Sequence, residues 1–272
     1  MFNIGVSSLC FISKNFEVFI DSLKFSNIRF WEIVDDGPHF LDLNKISLLL
    51  NAISSEDIIF SLHAPYTSVN ISATNYKVRK FSMDVYIESV EHAHAIGCKY
   101  IVFHPGLLDS FSYLFNDLRD SVIESIYFLL SLGDKCASYG ITPLLENLAT
   151  ERSTILSINS FKDFLSKSSK FMVALDISHA HVMGLFNGYL NNLHNRIAYL
   201  HISGNDDKAD RHWPLNVGSQ YWRGYLKEIL NFGFNCPLII ENLSYFDALK
   251  SLDILKSFFK NEFSTEFFHI SI

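Results

Sequence analysis

The chain has 272 residues, 49 % hydrophobic, 15 % aromatic and 19 % charged, a composition that excludes a disordered polymer and suffices for a large buried core. Its formal net charge of −7 argues against a broad basic face for nonspecific nucleic-acid binding. No apolar run reaches the ~18 residues of a membrane span, and none of Cys10, Cys98, Cys136 and Cys236 forms the CxxC pair of a zinc ribbon or redox motif.

Strand-like and helix-like segments alternate along the whole chain. NIGVSS (3–8) reads as a first strand, without the basic region of a signal peptide before it. A helix follows over 14–25, then a strand IRFWEIVDD (28–36) and a helix over about 41–54. IIFSLHAP (58–65) is the third strand, followed by a long helix over about 75–96 with Phe81, Val85 and Val90 at helical spacing. YIVFHPG (100–106) precedes a helix over about 115–139, and TPLLEN (142–147) precedes a shorter one over about 158–167. MVALDISHA (172–180), IAYLHIS (197–203) and PLIIEN (237–242) complete eight strands, and residues 245–260 form the last helix.

Near-continuous apolar strands alternating with helices predict a parallel sheet covered on both faces. The eight repeats look alike and none carries GxGxxG, which favours an α/β fold of the closed (β/α)8 type, one domain over 1–272, above an open doubly wound sheet. Residues 204–220, rich in Gly, Asn and Asp, make a long loop before the last strand, where loops are commonly functional. Cys98 and Cys136 read as buried thiols in a reduced, cytoplasmic setting.

Metal-type side chains stand at the ends of these runs: His63, His104, Glu146, Asp176 with His179, His201 and Glu241, while the DRH segment adds Asp210 and His212. A parallel barrel brings the C-terminal ends of its strands to one face, so residues distant in sequence converge there. Glu146, Asp176 and Glu241 each follow an apolar pair, a flank in which an unpaired carboxylate is costly. Gathered together they repel, and a cation removes that repulsion. The remaining histidines are read differently. His92 and His94 lie mid-helix, His194 near a helix C-terminus and His269 in the tail. His181 faces the same way as His179 if the sixth strand continues, and His39 could reach the mouth, but neither is read as a ligand.

In chain order, LHAPY, FHPG, LLEN, LDISHAH, HISGND, DRHWPLNVG and IIEN resemble the motifs of the xylose isomerase-like TIM-barrel superfamily, which includes endonuclease IV and many sugar isomerases and epimerases. The resemblance spans nearly the whole chain. By analogy with endonuclease IV it implies up to three zinc ions. His63, His104 and Glu146 would hold the first, Glu146, Asp176, His201 and Glu241 the second, and His179, Asp210 and His212 the third. Manganese is also compatible with such ligands. Single-metal isomerases and epimerases resemble only the second set. The sequence departs from endonuclease IV at LNVG, where Asn216 and Val217 interrupt a Gly-rich stretch similar to LGEG, and LDISHAHVMG looks closer to the isomerase branch. The loops after the second and third strands lack a cluster of Arg and aromatic side chains, so a small phosphorylated or sugar substrate is expected in preference to duplex DNA.

Two chemistries follow. Hydrolysis of a phosphate ester or diester would use the polynuclear set, with Glu146 bridging and Arg211 adding charge near the phosphate. Isomerisation or epimerisation of a sugar would use the four-residue set, with Glu146 or Glu241 moving the carbon-bound proton. For the latter, Glu32 would contact a hydroxyl, and Trp31, Trp213 and Trp222 could wall the ring, Trp213 from the mouth loop, with Trp31 and Trp222 reading equally well as core. The ligands beyond four rank the hydrolase first.

Overall fold

The computed structural model describes residues 3–53, 58–110, 114 and 118–262. Eight parallel strands close into a barrel in chain order. They are β1 (Ile4–Ser7), β2 (Phe30–Val34), β3 (Ile59–His63), β4 (Tyr100–Phe103), β5 (Thr142–Glu146), β6 (Met172–Asp176), β7 (Ile197–Ile202) and β8 (Leu238–Ile240). Closure pairs Ile4, Gly5 and Val6 with Leu238, Ile239 and Ile240. Around them lie α1 (Phe16–Phe25), α2 (Leu43–Ile53), α3 (Tyr76–Ala95), α4 (Leu118–Ser138), α5 (Ile158–Lys167), α6 (Ile177–Val182), α7 (Phe186–Leu193), α8 (Tyr221–Asn231) and α9 (Tyr245–Glu262). No described helix is long and apolar enough to cross a membrane.

Strand alternation sorts the side chains. Phe30, Val102, Leu144, Ala174, Tyr199 and Ile239 form one buried cluster inside the barrel, while the larger cluster, including Trp31, Phe103, Leu145, Leu175, Leu200 and Ile240, packs between strands and helices. With a side-chain period of two, the residue two places beyond each interior one faces the same way. Val102, Leu144, Ala174, Tyr199 and Ile239 are thus each followed, two residues on, by His104, Glu146, Asp176, His201 and Glu241. The same rule takes Phe30 to Glu32, but β2 is in register with β3 so that Glu32 sits opposite Ser61, one layer below His63.

Several boundaries differ from the sequence expectation. The sixth strand stops at Asp176, because that carboxylate accepts the His179 backbone N–H at 2.6 Å and caps α6. His179 and His181 therefore stand on a helical turn, not on a continued strand. Helix α8 was not anticipated, and α7 only in the reading of His194 as lying near a helix C-terminus; their short amphipathic patterns bury Tyr189, Leu190 and Leu193 and Trp222, Leu226 and Ile229. In α3 the buried stripe runs through Ser82, Tyr86, Ser89, Val90 and Ala93, leaving Phe81 exposed. The expected helix residues 54 and 115–117, and His269, lie outside the described residues.

Candidate metal centre

All nine sequence-predicted residues converge at the C-terminal end of the barrel. His63, Glu146 and Asp176 end their strands, His201 lies one residue before the end of β7, and His104 and Glu241 lie one residue beyond β4 and β8. His179 stands on α6, and Asp210 and His212 come from the 204–220 loop. A cavity of about 300 Å³ is bordered by seven of them, all but Asp176 and His201, with Leu9, Tyr66, Leu107 and Leu148 forming an apolar wall. Asp176 and His201 are buried beneath its floor.

Glu146 is the hub. Its Oε2 lies 3.1 Å from His63 Nε2 and 2.9 Å from His104 Nε2, and its Oε1 lies 3.0 Å from His201 Nδ1. The donor atoms fall into two groups close enough to share a cation each, His63 with His104 and Glu146, and Glu146 with Asp176, His201 and Glu241. A third set centres on Asp210 Oδ2, which is 3.1 Å from His179 Nε2 and 2.8 Å from His212 Nε2.

The far side of each ring shows which nitrogen is meant for what. His63 Nδ1–H donates to Ala64 O at 2.8 Å, His179 Nδ1–H to Asn147 O at 2.8 Å and His212 Nδ1–H to Glu241 O at 3.2 Å. His201 is turned the other way, its Nε2–H donating to Glu32 at 3.0 Å. In each ring the second nitrogen faces a carboxylate, which is how histidine ligands are oriented in metal sites. Asp176 Oδ2 and Asp210 Oδ1 are buried with no hydrogen-bond partner, an arrangement that is costly for a carboxylate unless something positive satisfies it. The donor set and these two orphaned oxygens fit divalent cations.

Without cations, protons take their place. Burial opposes charging of His63, but Glu146 and its neighbours hold the ring's pKa up to about 9. His212, buried beside Asp210, is likewise held up to about 9. His179 and His201 are raised well above the usual imidazole value by surrounding carboxylates that outweigh burial. His104 goes the other way, burial keeping it below that value. Burial also raises Glu241, with Glu146 nearby adding to the effect, to about 7, whereas His201 and His104 overcome burial and hold Glu146 well below the carboxylate range.

These shifts predict a pH dependence. A histidine with a raised folded-state pKa stabilises fully below its unfolded value and loses that contribution as pH rises through the folded one. Chelator-treated protein should therefore melt at progressively lower temperature as pH rises from 6.5 to about 9, the window set by His63 and His212. Glu241, raised from 4.5 to about 7, contributes the same sign just below that window. Thermal melts at several pH values check this; a melting temperature that climbs across the window would contradict it.

Other expectations are corrected. Glu32 is not at the mouth: it is wholly buried, accepting from His201 Nε2–H and from the Tyr199 hydroxyl, each at 3.0 Å, while Tyr199 also pairs with Ser61 at 2.5 Å. Arg211 is held by Asp206 at 2.9 Å and does not border the cavity. Of the two readings of Trp31 and Trp222 the core one holds, and Trp213, expected at the mouth, is not in the cavity wall. His181 points to Asp207, because the chain has turned into α6. His39 Nε2 instead meets Lys14 O at 2.9 Å.

Sequence reasoning did not assign Tyr66, whose ring lies 5.0 Å from that of His63 and 5.1 Å from that of His104. Nor did it assign the two asparagines that follow Glu146 and Glu241. Asn147 holds the Asp176 backbone through bonds of 2.8 and 3.0 Å, and Asn242 donates to the His212 and Trp213 carbonyls at 3.0 and 2.7 Å. The repeated Glu-Asn at the ends of LLEN and IIEN was the available signal.

Comparison with known proteins places this arrangement. A family profile described as a xylose isomerase-like TIM barrel matches residues 20–257. An uncharacterized protein of Methanocaldococcus jannaschii is 26 % identical over 263 residues, covering 93 % of this chain and 88 % of its own. A probable endonuclease 4 of Mycoplasmopsis agalactiae is 28 % identical over 218 residues, covering 73 % and 72 %. The crystal structure of a D-tagatose 3-epimerase-like protein superposes with a TM-score of 0.85 at 25 % identity, covering 96 % of this chain and 98 % of that one.

Proposed function

The chain belongs to the xylose isomerase-like TIM-barrel family, and from that membership we propose that it is a metal-dependent enzyme hydrolysing a phosphate ester or diester at a polynuclear centre. The observation that carries this reading is the pre-set orientation of His63, His179 and His212, each fixed by a backbone carbonyl with Nε2 toward a carboxylate. A one-cation enzyme needs only Glu146, Asp176, His201 and Glu241, and has no use for two further sets held so closely.

His63, His104 and Glu146 would hold one cation, Glu146, Asp176, His201 and Glu241 a second, and His179, Asp210 and His212 a third. Zinc or manganese there would acidify water and neutralise charge on a phosphoryl oxygen. Glu146 offers one oxygen to each side of the pair, which suits it to bridging and to orienting the attacking water. Among the described cavity residues no Lys or Arg is present, so phosphate charge would be met by the cations and by His179 and His212. The apolar wall of Leu9, Tyr66, Leu107 and Leu148 suits a compact substrate better than a duplex.

The extent of the match to the D-tagatose 3-epimerase-like structure supports a second reading, epimerisation of a small sugar. In it Glu146 and Glu241 would exchange the carbon-bound proton, and Glu241, held near 7, is suited to that task.

Elemental analysis of stripped protein reloaded with zinc or manganese separates the two. The hydrolase reading expects two or three equivalents per chain, reduced by His179→Ala or His212→Ala, and cleavage of a chromogenic phosphodiester. A single equivalent unaffected by those changes, with solvent-proton exchange into a ketose, would replace it with the epimerase.

A further inference from the structure

The ligand-type residues of the centre are not held alike. Six stand at or beside strand ends, but Asp210 and His212 hang on the 204–220 loop, opposite His179 on the short helix α6. Among the described residues, the non-glycine positions with left-handed backbone are Asp207 (φ 64°) and His212 (φ 49°), both in this loop. Asp and His adopt this conformation more readily than most side chains, and its remaining cost is offset by the surroundings. For His212 they are evident: Gly204 and Trp213 exchange backbone hydrogen bonds of 2.7 and 3.0 Å, and Asn242 donates to the His212 carbonyl at 3.0 Å.

For Asp207 the side chain is held by two groups, the Ser219 side chain and His181. The ring's Nε2–H donates to Asp207 Oδ1 at 2.7 Å, and Asn205 Oδ1 accepts the Asp207 backbone N–H at 2.9 Å. His181 is itself clamped. It stacks flat on Tyr221, with centroids 4.0 Å apart and planes 6° from parallel, and the Tyr225 hydroxyl donates to its Nδ1 at 3.2 Å. Tyr221 in turn donates to Ser203 O at 2.6 Å, at the base of the same loop. Two residues apart on one helical turn, His179 enters the ligand cluster and His181 anchors the loop that supplies the cluster's other two members.

We propose that His181 is a positioning residue that sets the cation affinity of the His179–Asp210–His212 cluster by fixing the loop at Asp207. The proposal rests on the polynuclear reading. It requires that this cluster respond to a change at His181 while the two strand-end sets, whose residues the barrel holds, do not.

The test is a zinc titration of full-length, chelator-stripped protein against a chromophoric competitor. His181→Ala is expected to weaken the last of three equivalents by about 10-fold, the lower end of the range for groups bonded directly to a ligand because His181 acts through Asp207, and to leave the others unchanged. His181→Gln, which retains an N–H donor, should recover most of the loss, and Asp207→Ala, which removes the Ser219 bond as well, should weaken the same equivalent at least as much as His181→Ala. Circular dichroism melts confirm that the variants fold. Wild-type affinity for all three equivalents in His181→Ala, or equal weakening of all three, overturns the proposal while leaving the polynuclear reading intact. A single equivalent in the wild type overturns both.

Discussion

Glu146→Gln is expected to lower kcat by about 10³-fold or more, which corresponds to a loss of ~4 kcal/mol of transition-state stabilisation. The substitution keeps shape and volume and removes only the charge and one acceptor oxygen. That oxygen pair is the shared element of the site: Oε2 serves His63 and His104, and Oε1 serves His201. Losing the charge should therefore reduce cation binding at both strand-end sets together, which no other single change in the cavity would do. Stability should suffer less than activity. Removing one partner of a buried ion pair costs about 3–5 kcal/mol when the other stays charged, but imidazoles can shed their protons, and the amide can then donate to the freed nitrogens. Metal content, kcat and a thermal melt measured on the same preparation check each part. Turnover near the wild-type rate would remove Glu146 from the reaction under either the hydrolase or the epimerase reading.

How far the site could be read from the sequence depends on how each residue is delivered. The six strand-end residues were legible because an apolar run marks a buried strand, and a parallel barrel fixes where its C-terminal end lies. His179 was legible as the end of the sixth run and Asp210 and His212 as a DRH segment, but only the ordered motifs grouped the three, since no periodicity places a loop residue against a helical turn. The closed fold followed from eight similar runs, and the observed barrel agrees. What local pattern could not supply was depth. FWE reads like LLE or IIE, yet the register of β2 against β3 sets Glu32 opposite Ser61 and so beneath the cavity. Asp176 shows the converse limit: a carboxylate that reads as a strand residue also caps a helix, and that cap turns His181 away from the site. The three tryptophans illustrate a third limit, because an aromatic side chain looks the same in sequence whether it lines a pocket or fills a core.

Glu32→Leu is expected to weaken cation binding at the Glu146–Asp176–His201–Glu241 set by about 10–100-fold, the range found for outer partners of ligating histidines. Glu32 does not touch the cavity, so its effect must pass through His201. The carboxylate fixes Nε2 as the protonated nitrogen and leaves Nδ1, 3.0 Å from Glu146 and 3.6 Å from Glu241, as the one available to a cation. Leucine would leave His201 Nε2–H buried without an acceptor, a loss of about 1–3 kcal/mol that the ring can avoid only by moving its proton to the nitrogen needed for ligation. Glu32→Gln retains an acceptor, and Tyr199 remains beside it through its contact with Ser61. The amide variant should accordingly lie much closer to wild type than the leucine variant. Because the lost function is cation affinity, raising zinc should restore the rate of Glu32→Leu, whereas it should not restore Glu146→Gln. Equal zinc affinities in wild type, Glu32→Gln and Glu32→Leu would mean that packing alone orients His201, leaving the buried carboxylate to serve only the hydrogen-bonded layer it forms with Tyr199 and Ser61.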